Sequence, residues 1–204
     1  MGEILVIRHG ETDYNAEGRL QGTLETELNS NGLRQAVEAA EQLKYAGISV
    51  IFSSPMIRAR KTAEIIGKEL DVPVVFRDAL KEKCFGVGQG LLVREIQDRY
   101  GDILWEARRS LDHALPEGES NQDVIQRLDP VLREIRQNYQ GKRVLVVTHG
   151  AVARVLFRML ANPTDQQFES FQMINCEVLN FRPDSDGYYI CEYSTQDTEK
   201  NYTE

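Results

Sequence analysis

Short runs of apolar residues recur along the chain and predict the strands of a buried sheet. The runs are rich in valine and isoleucine, which is typical of parallel strands covered on both faces. They occupy residues 4–7, 50–52, 72–76 and 144–147. Two later runs, 177–181 and 188–193, flank the turn-forming sequence RPDSDG, so they predict a β-hairpin.

Apolar residues also recur at helical spacing between the predicted strands. One series follows the cap-forming residues 29–31, and another follows Ser120 and continues to Tyr139. The second series contains Pro130, which should kink its helix or end the first half. The first series consists of Leu33, Val37, Ala40 and Leu43. Alternating strands and helices predict a three-layer α/β/α sandwich around a mostly parallel sheet.

Composition and length favour a single domain. The chain has 204 residues, of which 41% are hydrophobic and 27% charged, and no linker-like segment divides it. We therefore expect one domain over residues 1–204, with a frayed tail over about 194–204. The first residues lack the pattern of a signal peptide, and no apolar run approaches the ~18 residues of a membrane span.

The cysteine content and the net charge restrict the expected cellular location and the expected classes of binding partner. The three cysteines are widely spaced and contain no CxxC pair, so we expect a reducing, cytoplasmic environment. The net charge of −8 argues against general binding to nucleic acid. It does not exclude a small phosphorylated metabolite, because a few arginines in one pocket decide the local field.

Two of the predicted strands end in the same unusual way. The first is followed by Arg8 and a His-Gly pair that begins at His9, and the fourth by Thr148 and a His-Gly pair that begins at His149. One such histidine is typical of a hydrogen-bonded structural residue. Two of the chain's three histidines in equivalent places favour a shared site, because ligands collect at the carboxyl ends of parallel strands.

This combination of side chains favours phosphoryl transfer. A metal site is the first alternative, but there is no HxH, no HExxH and no third histidine near a strand end. A neutral imidazole is a competent nucleophile when its other nitrogen is held by a hydrogen-bond acceptor. Arginines, and a second histidine in its protonated form, can neutralise the phosphoryl oxygens.

Two further residues fit the same chemistry. Arg58 lies at the start of a predicted helix that follows the second strand, where anions are favoured. Glu82 precedes the glycine-rich sequence FGVGQG and could give a proton to a leaving oxygen, then take one from water. From its spacing alone, Glu82 would more often be a surface glutamate.

Taken together, the motifs resemble those of the histidine phosphatase superfamily, the phosphoglycerate-mutase-like proteins. RHGET is the signature of that family, and GRLQG, SSPMIRARKTAE, LKEKCFG, PEGESNQDVIQRL and VLVVTHG follow in the family's order. The resemblance extends from residue 4 to about residue 158, roughly three quarters of the chain. It implies the phosphoglycerate-mutase-like α/β fold.

The resemblance also implies a role for each matching residue. His9 matches the phosphorylated nucleophile, and the phosphate pocket is formed by Arg8, Arg58 and His149. Glu82 matches the proton donor. Asn15 and the backbone at Gly22 match positions that line the phosphate site. The implied activity requires no cofactor and no metal.

The choice between phosphatase and mutase depends on fewer residues. We expect a phosphatase that acts on a small phosphomonoester, and a 2,3-bisphosphoglycerate-dependent phosphoglycerate mutase is the alternative. The pair Arg108-Arg109 resembles a feature of the glycolytic mutases. Against a mutase, Phe85 replaces the tyrosine that those enzymes usually carry, and Val93 stands near the position of their usual lysine. Residues 88–90 read Gly-Gln-Gly, where many phosphatases have Trp-Glu-Gly. GESNQDVIQRLDPVLREI resembles the phosphatase domain that acts on fructose 2,6-bisphosphate.

Other interpretations carry less support. Cys176 and Arg182 have the spacing of cysteine-dependent phosphatases, but the five residues between them contain no glycine for a phosphate-binding loop. A pseudo-phosphatase would have lost reacting residues, and none is missing. The motifs assign no role to His113, although its segment could overhang the pocket. A monomer and a homodimer are both compatible with the sequence.

Overall fold

The computed structural model describes residues 2–184 and 189–193, and its strands form one six-stranded sheet. The spatial order of the strands is β3-β2-β4-β1-β5-β6. The first four of these are parallel, and β5 and β6 run antiparallel as a hairpin. This confirms the mostly parallel sheet and the late hairpin. The strands are β1 (Glu3–Arg8), β2 (Ile48–Ser53), β3 (Val74–Phe76), β4 (Arg143–Thr148), β5 (Val178–Pro183) and β6 (Tyr189–Tyr193).

Helices cover both faces of this sheet, so the three-layer α/β/α sandwich is confirmed. The helices are α1 (Asp13–Glu17), α2 (Ser30–Leu43), α3 (Ile57–Leu70), α4 (Val93–Tyr100), α5 (Ile103–Arg109), α6 (Asn121–Asn138), α7 (Gly150–Ala161) and α8 (Asp165–Ser170). Alternate residues of the central strands enter two separate cores. Leu5 and Ile7 pack with α2 and α3, whereas Ile4 and Val6 pack with α6 and α7. The sheet is therefore buried on both sides, as its valine-rich strands require.

Two local predictions are wrong in detail. The third strand begins at Val74 rather than at residue 72, because α3 ends with Asp71 in the left-handed conformation, at φ 54°. Leu33 and Val37 do not face the core, since 40% and 49% of their surfaces are exposed. Helix α2 is buried instead through small residues, with Ala36 fully buried, so it packs closely against the sheet.

Pro130 does not end its helix. Helix α6 continues from Asn121 to Asn138 with the proline inside it. Leu128, Val131 and Leu132 around the proline are buried, and their packing outweighs the one backbone hydrogen bond that proline removes.

Some expectations fall outside the described residues. These are the turn at 185–188 and the frayed tail at about 194–204, so the single domain over residues 1–204 stays a prediction. Within ranges 2–184 and 189–193, no helix is both long and apolar enough to cross a membrane.

Candidate active site

Strand pairing brings the two strand-end histidines together. Strands β1 and β4 are parallel neighbours in which Arg8 pairs with Thr148. The backbone N–H of His9 donates to the carbonyl oxygen of Thr148 at 2.9 Å. The rings of His9 and His149 consequently lie edge to face, with centroids 5.1 Å apart. The two imidazoles therefore meet at neighbouring strand ends, although His149 itself is fully buried and is not among the residues that line the cleft.

His9 is held as a neutral imidazole whose Nε2 is unprotonated. Its Nδ1 lies 2.7 Å from the carbonyl oxygen of Gly10, and the Nε of Arg58 donates to its Nε2 at 3.3 Å. A guanidinium can only donate, so Nε2 is unprotonated and Nδ1 carries the proton. Burial lowers the pKa of His9 well below 6.5, and the positive charges of Arg58 and Arg8 lower it further. This is the form that a nucleophile requires.

His149 is oriented by a buried serine. The hydroxyl of Ser54 accepts from the backbone N–H of Met56 at 3.2 Å and lies 2.8 Å from Nε2 of His149. Among the described residues, Nε2 of His149 is the acceptor within hydrogen-bond distance of the Ser54 hydroxyl. The hydroxyl therefore donates its proton to Nε2. Nδ1 then carries the ring proton, and it is buried without a partner among the described residues.

His149 is also neutral in this structure. Burial lowers its pKa well below 6.5, and the charge of Arg58 is the next largest cause. A role for His149 in its protonated form stays a prediction that this burial disfavours. The ring offers one N–H donor instead of a full positive charge.

A partly buried guanidinium group, that of Arg8, and a fully buried one, that of Arg58, flank the histidines. Arg58 is fully buried, and its two terminal nitrogens donate to the carbonyl oxygens of Gly22 and Leu24, each at 2.7 Å. Arg8 donates through Nη1 to the carbonyl of Met173 at 2.7 Å, while its Nε has no partner among the described residues. Burial lowers the pKa of both, that of Arg58 to about 10, so both stay charged at neutral pH.

Glu82 lies at the same cleft and is nearly buried, with 8% of its surface exposed. One carboxylate oxygen accepts from the backbone N–H of Lys83 at 2.8 Å, and the other from that of Ala151 at 3.3 Å. These contacts connect the loop after β3 to the first turn of α7. They hold the carboxyl group at the cleft that His9 lines.

The cleft has a volume of about 420 Å³ and collects the residues that the motifs singled out. His149 is fully buried and does not line the cleft, whereas its neighbour Gly150 does. Apolar side chains line much of the rest, among them Phe85, Val93 and the half-exposed Trp105. The lining residues expected from the sequence are Arg8, His9, Asn15, Gly22, Arg58 and Glu82.

Comparison with known proteins identifies the family. The family model of the histidine phosphatase superfamily (branch 1) matches residues 4–196. The chain belongs to the histidine phosphatase superfamily. It is 32% identical over 194 residues to the "Uncharacterized phosphatase PhoE" of Bacillus subtilis, covering 95% of both chains.

Two further relatives of this chain carry names that state different activities. "Probable phosphoglycerate mutase GpmB" of Escherichia coli is 33% identical over 187 residues, which cover 87% of this chain and 83% of GpmB. The solved structure of a mycobacterial glucosyl-3-phosphoglycerate phosphatase with VO3 superimposes with a TM-score of 0.87 at 28% identity. It covers 95% of this chain and 98% of that one.

The histidine phosphatase cleft also contains cations that the sequence reasoning missed. Arg19, Lys83 and Arg154 line it, and so does Arg108, whose role the sequence left open. Two features of the sequence could have indicated them. Lys83 follows Glu82 directly, and Arg154 interrupts the apolar sequence of α7. Two other open residues lie elsewhere. Arg109 is exposed and lies 3.8 Å from Glu169, and His113 is exposed on a loop outside the cleft lining.

A glutamine joins two loops of this cleft. Oε1 of Gln89 accepts from the backbone N–H and the hydroxyl of Thr23, at 2.7 and 3.0 Å, and from the N–H of Phe85 at 3.3 Å. Its side chain occupies the space where a Cβ on Gly22 would lie, and Gly22 has a positive φ of 55°. Gln89 thereby supports the backbone whose carbonyls orient Arg58.

Two glycines allow helix α2 to approach the nucleophile. A Cβ added to Gly10 would lie 2.5 Å from the carbonyl oxygen of Gly32, and a Cβ on Gly32 would lie 2.1 Å from that of Glu11. The start of α2 and the backbone after His9 are therefore in direct contact.

The cysteine-dependent alternative does not fit the structure. Burial raises the pKa of Cys176 to about 12, so its thiol stays protonated. The residues that follow it enter strand β5, and no phosphate-binding loop forms. Arg182 pairs with Glu192 on the neighbouring strand.

The described residues contain no group of three or more His, Cys, Asp or Glu side chains that could hold a metal ion. The expectation that the reaction needs neither metal nor cofactor stays a prediction.

Proposed function

We propose that this protein hydrolyses a small phosphomonoester through a phosphohistidine formed at His9. The observation that carries the proposal is the state of that side chain. It is neutral, its Nε2 lone pair faces the guanidinium of Arg58, and it lines the same cleft as Arg8 and Glu82. The similarity to PhoE and to glucosyl-3-phosphoglycerate phosphatase supports hydrolysis as the outcome.

In the first step, Nε2 of His9 attacks phosphorus and the bond from phosphorus to the ester oxygen breaks. Glu82, in its protonated form, gives its proton to the leaving oxygen, so an alcohol departs. Arg8 and Arg58 neutralise the charge on the phosphoryl oxygens, and Nδ1–H of His149 donates to one of them. The hydrogen bond from Nδ1–H of His9 to the Gly10 carbonyl stabilises the charge that the ring acquires.

In the second step, the Glu82 carboxylate takes a proton from water as the water oxygen attacks phosphorus. The nitrogen–phosphorus bond breaks, inorganic phosphate leaves, and both side chains return to their starting forms. Asn15 and the backbone at Gly22 complete the phosphate site in this proposal. Asn15 lies at the cleft on α1, where its side-chain oxygen accepts from the N–H of Thr12 at 3.2 Å.

A phosphoglycerate mutase is the second candidate, favoured by the 33% identity to GpmB. A mutase must shield its phosphohistidine from water and retain a half-reacted anionic substrate. Phe85 and Val93 line the cleft, and neither can donate a hydrogen bond to such a substrate from its side chain. These two positions add no support for the mutase, and we propose hydrolysis because of the similarity to PhoE and to glucosyl-3-phosphoglycerate phosphatase.

Cytoplasmic location and a monomeric or homodimeric state complete the proposal. The free cysteines Cys84, Cys176 and Cys191 support a reducing compartment.

The test combines a chromogenic phosphate ester with a panel of phosphorylated metabolites. We expect phosphate release that survives excess chelator, is abolished in His9→Ala, and passes through an acid-labile phosphohistidine. The panel is assayed in parallel for conversion of 3- to 2-phosphoglycerate with 2,3-bisphosphoglycerate present. Isomerisation faster than phosphate release by orders of magnitude would establish the mutase instead. Absence of both activities would indicate a pseudo-phosphatase.

A further inference from the structure

Two buried cations in the cleft have no carboxylate partner in the described part of the chain. Lys83 and Arg154 retain only 1% and 4% of their surface exposed. Nζ of Lys83 donates to the side-chain oxygen of Asn121 at 3.0 Å and to the carbonyl of Ala107 at 3.4 Å. Arg154 donates to the same Asn121 oxygen at 3.5 Å, and its Nε is buried without a partner within residues 2–184 and 189–193.

This arrangement is unfavourable for the protein alone. A buried charge that no opposite charge contacts directly carries a large desolvation penalty. Burial lowers the pKa of Lys83 to about 8 and that of Arg154 to about 9. A neighbouring cation lowers each pKa further, Arg154 for Lys83 and Arg108 for Arg154, and the charge of Glu82 offsets only part of both shifts. Both groups nevertheless remain mainly protonated at neutral pH. They can therefore bind an anion that enters the cleft.

Two other cations of the cleft, Arg19 and Arg108, already have hydrogen-bond or ion-pair partners in the protein. Arg19 lies 2.6 Å from a carboxylate oxygen of Glu17. Arg108 donates to the backbone carbonyls of Glu169 and Phe171, at 3.2 and 2.6 Å. Outside the phosphoryl site, where Arg8 and Arg58 also lack a carboxylate partner among the described residues, Lys83 and Arg154 are two cations that share one neutral acceptor, the Asn121 oxygen.

Their position defines which part of a substrate they would contact. Lys83 follows Glu82 in the chain, and Glu82 accepts from the backbone N–H of Ala151, three residues before Arg154 on the same side of α7. The pair therefore lies on the Glu82 side of the cleft. In the proposed reaction Glu82 protonates the leaving oxygen, so the alcohol part of the ester occupies that side.

We propose that Lys83 and Arg154 bind a second anionic group, a carboxylate or a phosphate, on the alcohol part of the substrate. The inference rests on the proposed phosphatase function and specifies its substrate class. The Asn121 oxygen holds the two cations near each other before the substrate arrives, so little reorganisation is needed on binding. Phosphorylated acids or bisphosphates are then hydrolysed in preference to esters of neutral alcohols.

Matched substrates test this preference. The carboxylate pair is 3-phosphoglycerate and glycerol 3-phosphate, which differ only in a carboxylate against a hydroxymethyl group. The phosphate pair is propane-1,3-diol bisphosphate and 3-hydroxypropyl phosphate. We expect kcat/KM to favour the anionic member of at least one pair by about 30-fold or more, as for a group bound by two buried cations. The favoured pair identifies the second group.

Lys83→Met and Arg154→Met should each reduce that ratio to about threefold or less, since a neutral thioether cannot bind an anion. Arg109→Met is the control, because Arg109 is an exposed cation of α5 outside the cleft lining, and it should keep the wild-type ratio. The ratio compares two substrates in one preparation, so partial unfolding does not alter it. Should Arg154→Met fail to fold, Lys83→Met alone decides.

The outcomes separate the two proposals. Equal kcat/KM within both pairs, or an unchanged ratio in the Lys83 variant, overturns the second anionic subsite while His9-dependent hydrolysis stands. Absence of hydrolysis of all four esters by a preparation that hydrolyses the chromogenic ester overturns the second anionic subsite alone. Absence of hydrolysis of every ester, the chromogenic one included, overturns the proposed function and this inference with it.

Discussion

Replacing Ser54 by alanine tests whether the orientation of His149 matters for the reaction. The serine hydroxyl is fully buried and connects the N–H of Met56 to Nε2 of His149. Alanine removes this hydroxyl and leaves the imidazole in place. The proton of His149 is then no longer restricted to Nδ1, the position from which we propose that it donates to the phosphoryl group.

The expected effects follow from the two broken contacts. Leaving the Met56 N–H and the His149 Nε2 unpaired and buried costs about 1–3 kcal/mol each, so the free energy of unfolding should fall by about 2–6 kcal/mol. A domain with a stability in the middle or upper part of the typical range of about 5–15 kcal/mol remains folded. The lost preference for one tautomer corresponds to about 1.4 kcal/mol of transition-state stabilisation, or about tenfold in kcat. Removal of the whole donor in His149→Ala should cost about 10²–10³-fold.

Ser53→Ala supplies a matched control. Ser53 is the neighbouring serine and is equally buried, but its hydroxyl donates to the backbone carbonyl of Ser54 at 2.9 Å and not to a site residue. Denaturant unfolding measures stability, and single-turnover hydrolysis of a chromogenic ester measures the chemical step. The ¹⁵N shifts of the His149 ring report its tautomer.

We expect both variants to lose stability and only Ser54→Ala to lose kcat and to show a mixed His149 tautomer. If Ser54→Ala keeps the wild-type kcat and the Nδ1–H form of the ring, the hydrogen bond is merely structural. The orientation argument for His149 would then be refuted.

Two further predictions use the same assays. Gln89→Leu should lower kcat/KM about tenfold because three donors from Thr23 and Phe85 lose their acceptor, whereas Gln89→Glu keeps that oxygen and should stay within about threefold of wild type. Equal losses in both variants would contradict the role of the oxygen. The depressed pKa values of His9 and His149 should make stability constant above pH 6.5 and lower below it, because the unfolded chain binds protons that the folded chain does not. The slope approaches about 1.4 kcal/mol per pH unit for each histidine, so a flat profile from pH 6.5 to 5 in chemical denaturation would contradict their neutral burial.

The sequence allowed the reacting half of the site to be predicted because its residues are next to strand ends. His9 and His149 follow apolar runs directly, so their meeting required only that β1 and β4 be neighbours. Arg58 and Glu82 were recognised from motifs that surround them. Their contacts, such as that of Glu82 with the N–H of Ala151, depend on how separate elements pack.

The other half of the cleft could not be predicted in the same way. Lys83 is buried because Asn121 on α6 and Ala107 on α5 approach it from distant parts of the chain. Periodicity reports which face of a helix is apolar and does not report which helices meet. The same limit explains α2, where alanines rather than Leu33 and Val37 face the core, because close packing there selects small side chains.

The contact between Gly10 and Gly32 has a consequence for how this protein can change over evolutionary time. Each glycine leaves room for the backbone next to the other, so a methyl group at either position forces the two segments apart. A second substitution cannot compensate, because the first has already used the space. Helix α2 therefore tolerates substitutions mainly on its exposed face, where Leu33 and Val37 lie. A change in the backbone after His9 therefore requires a simultaneous change at the start of α2, so we expect the two segments to be conserved together.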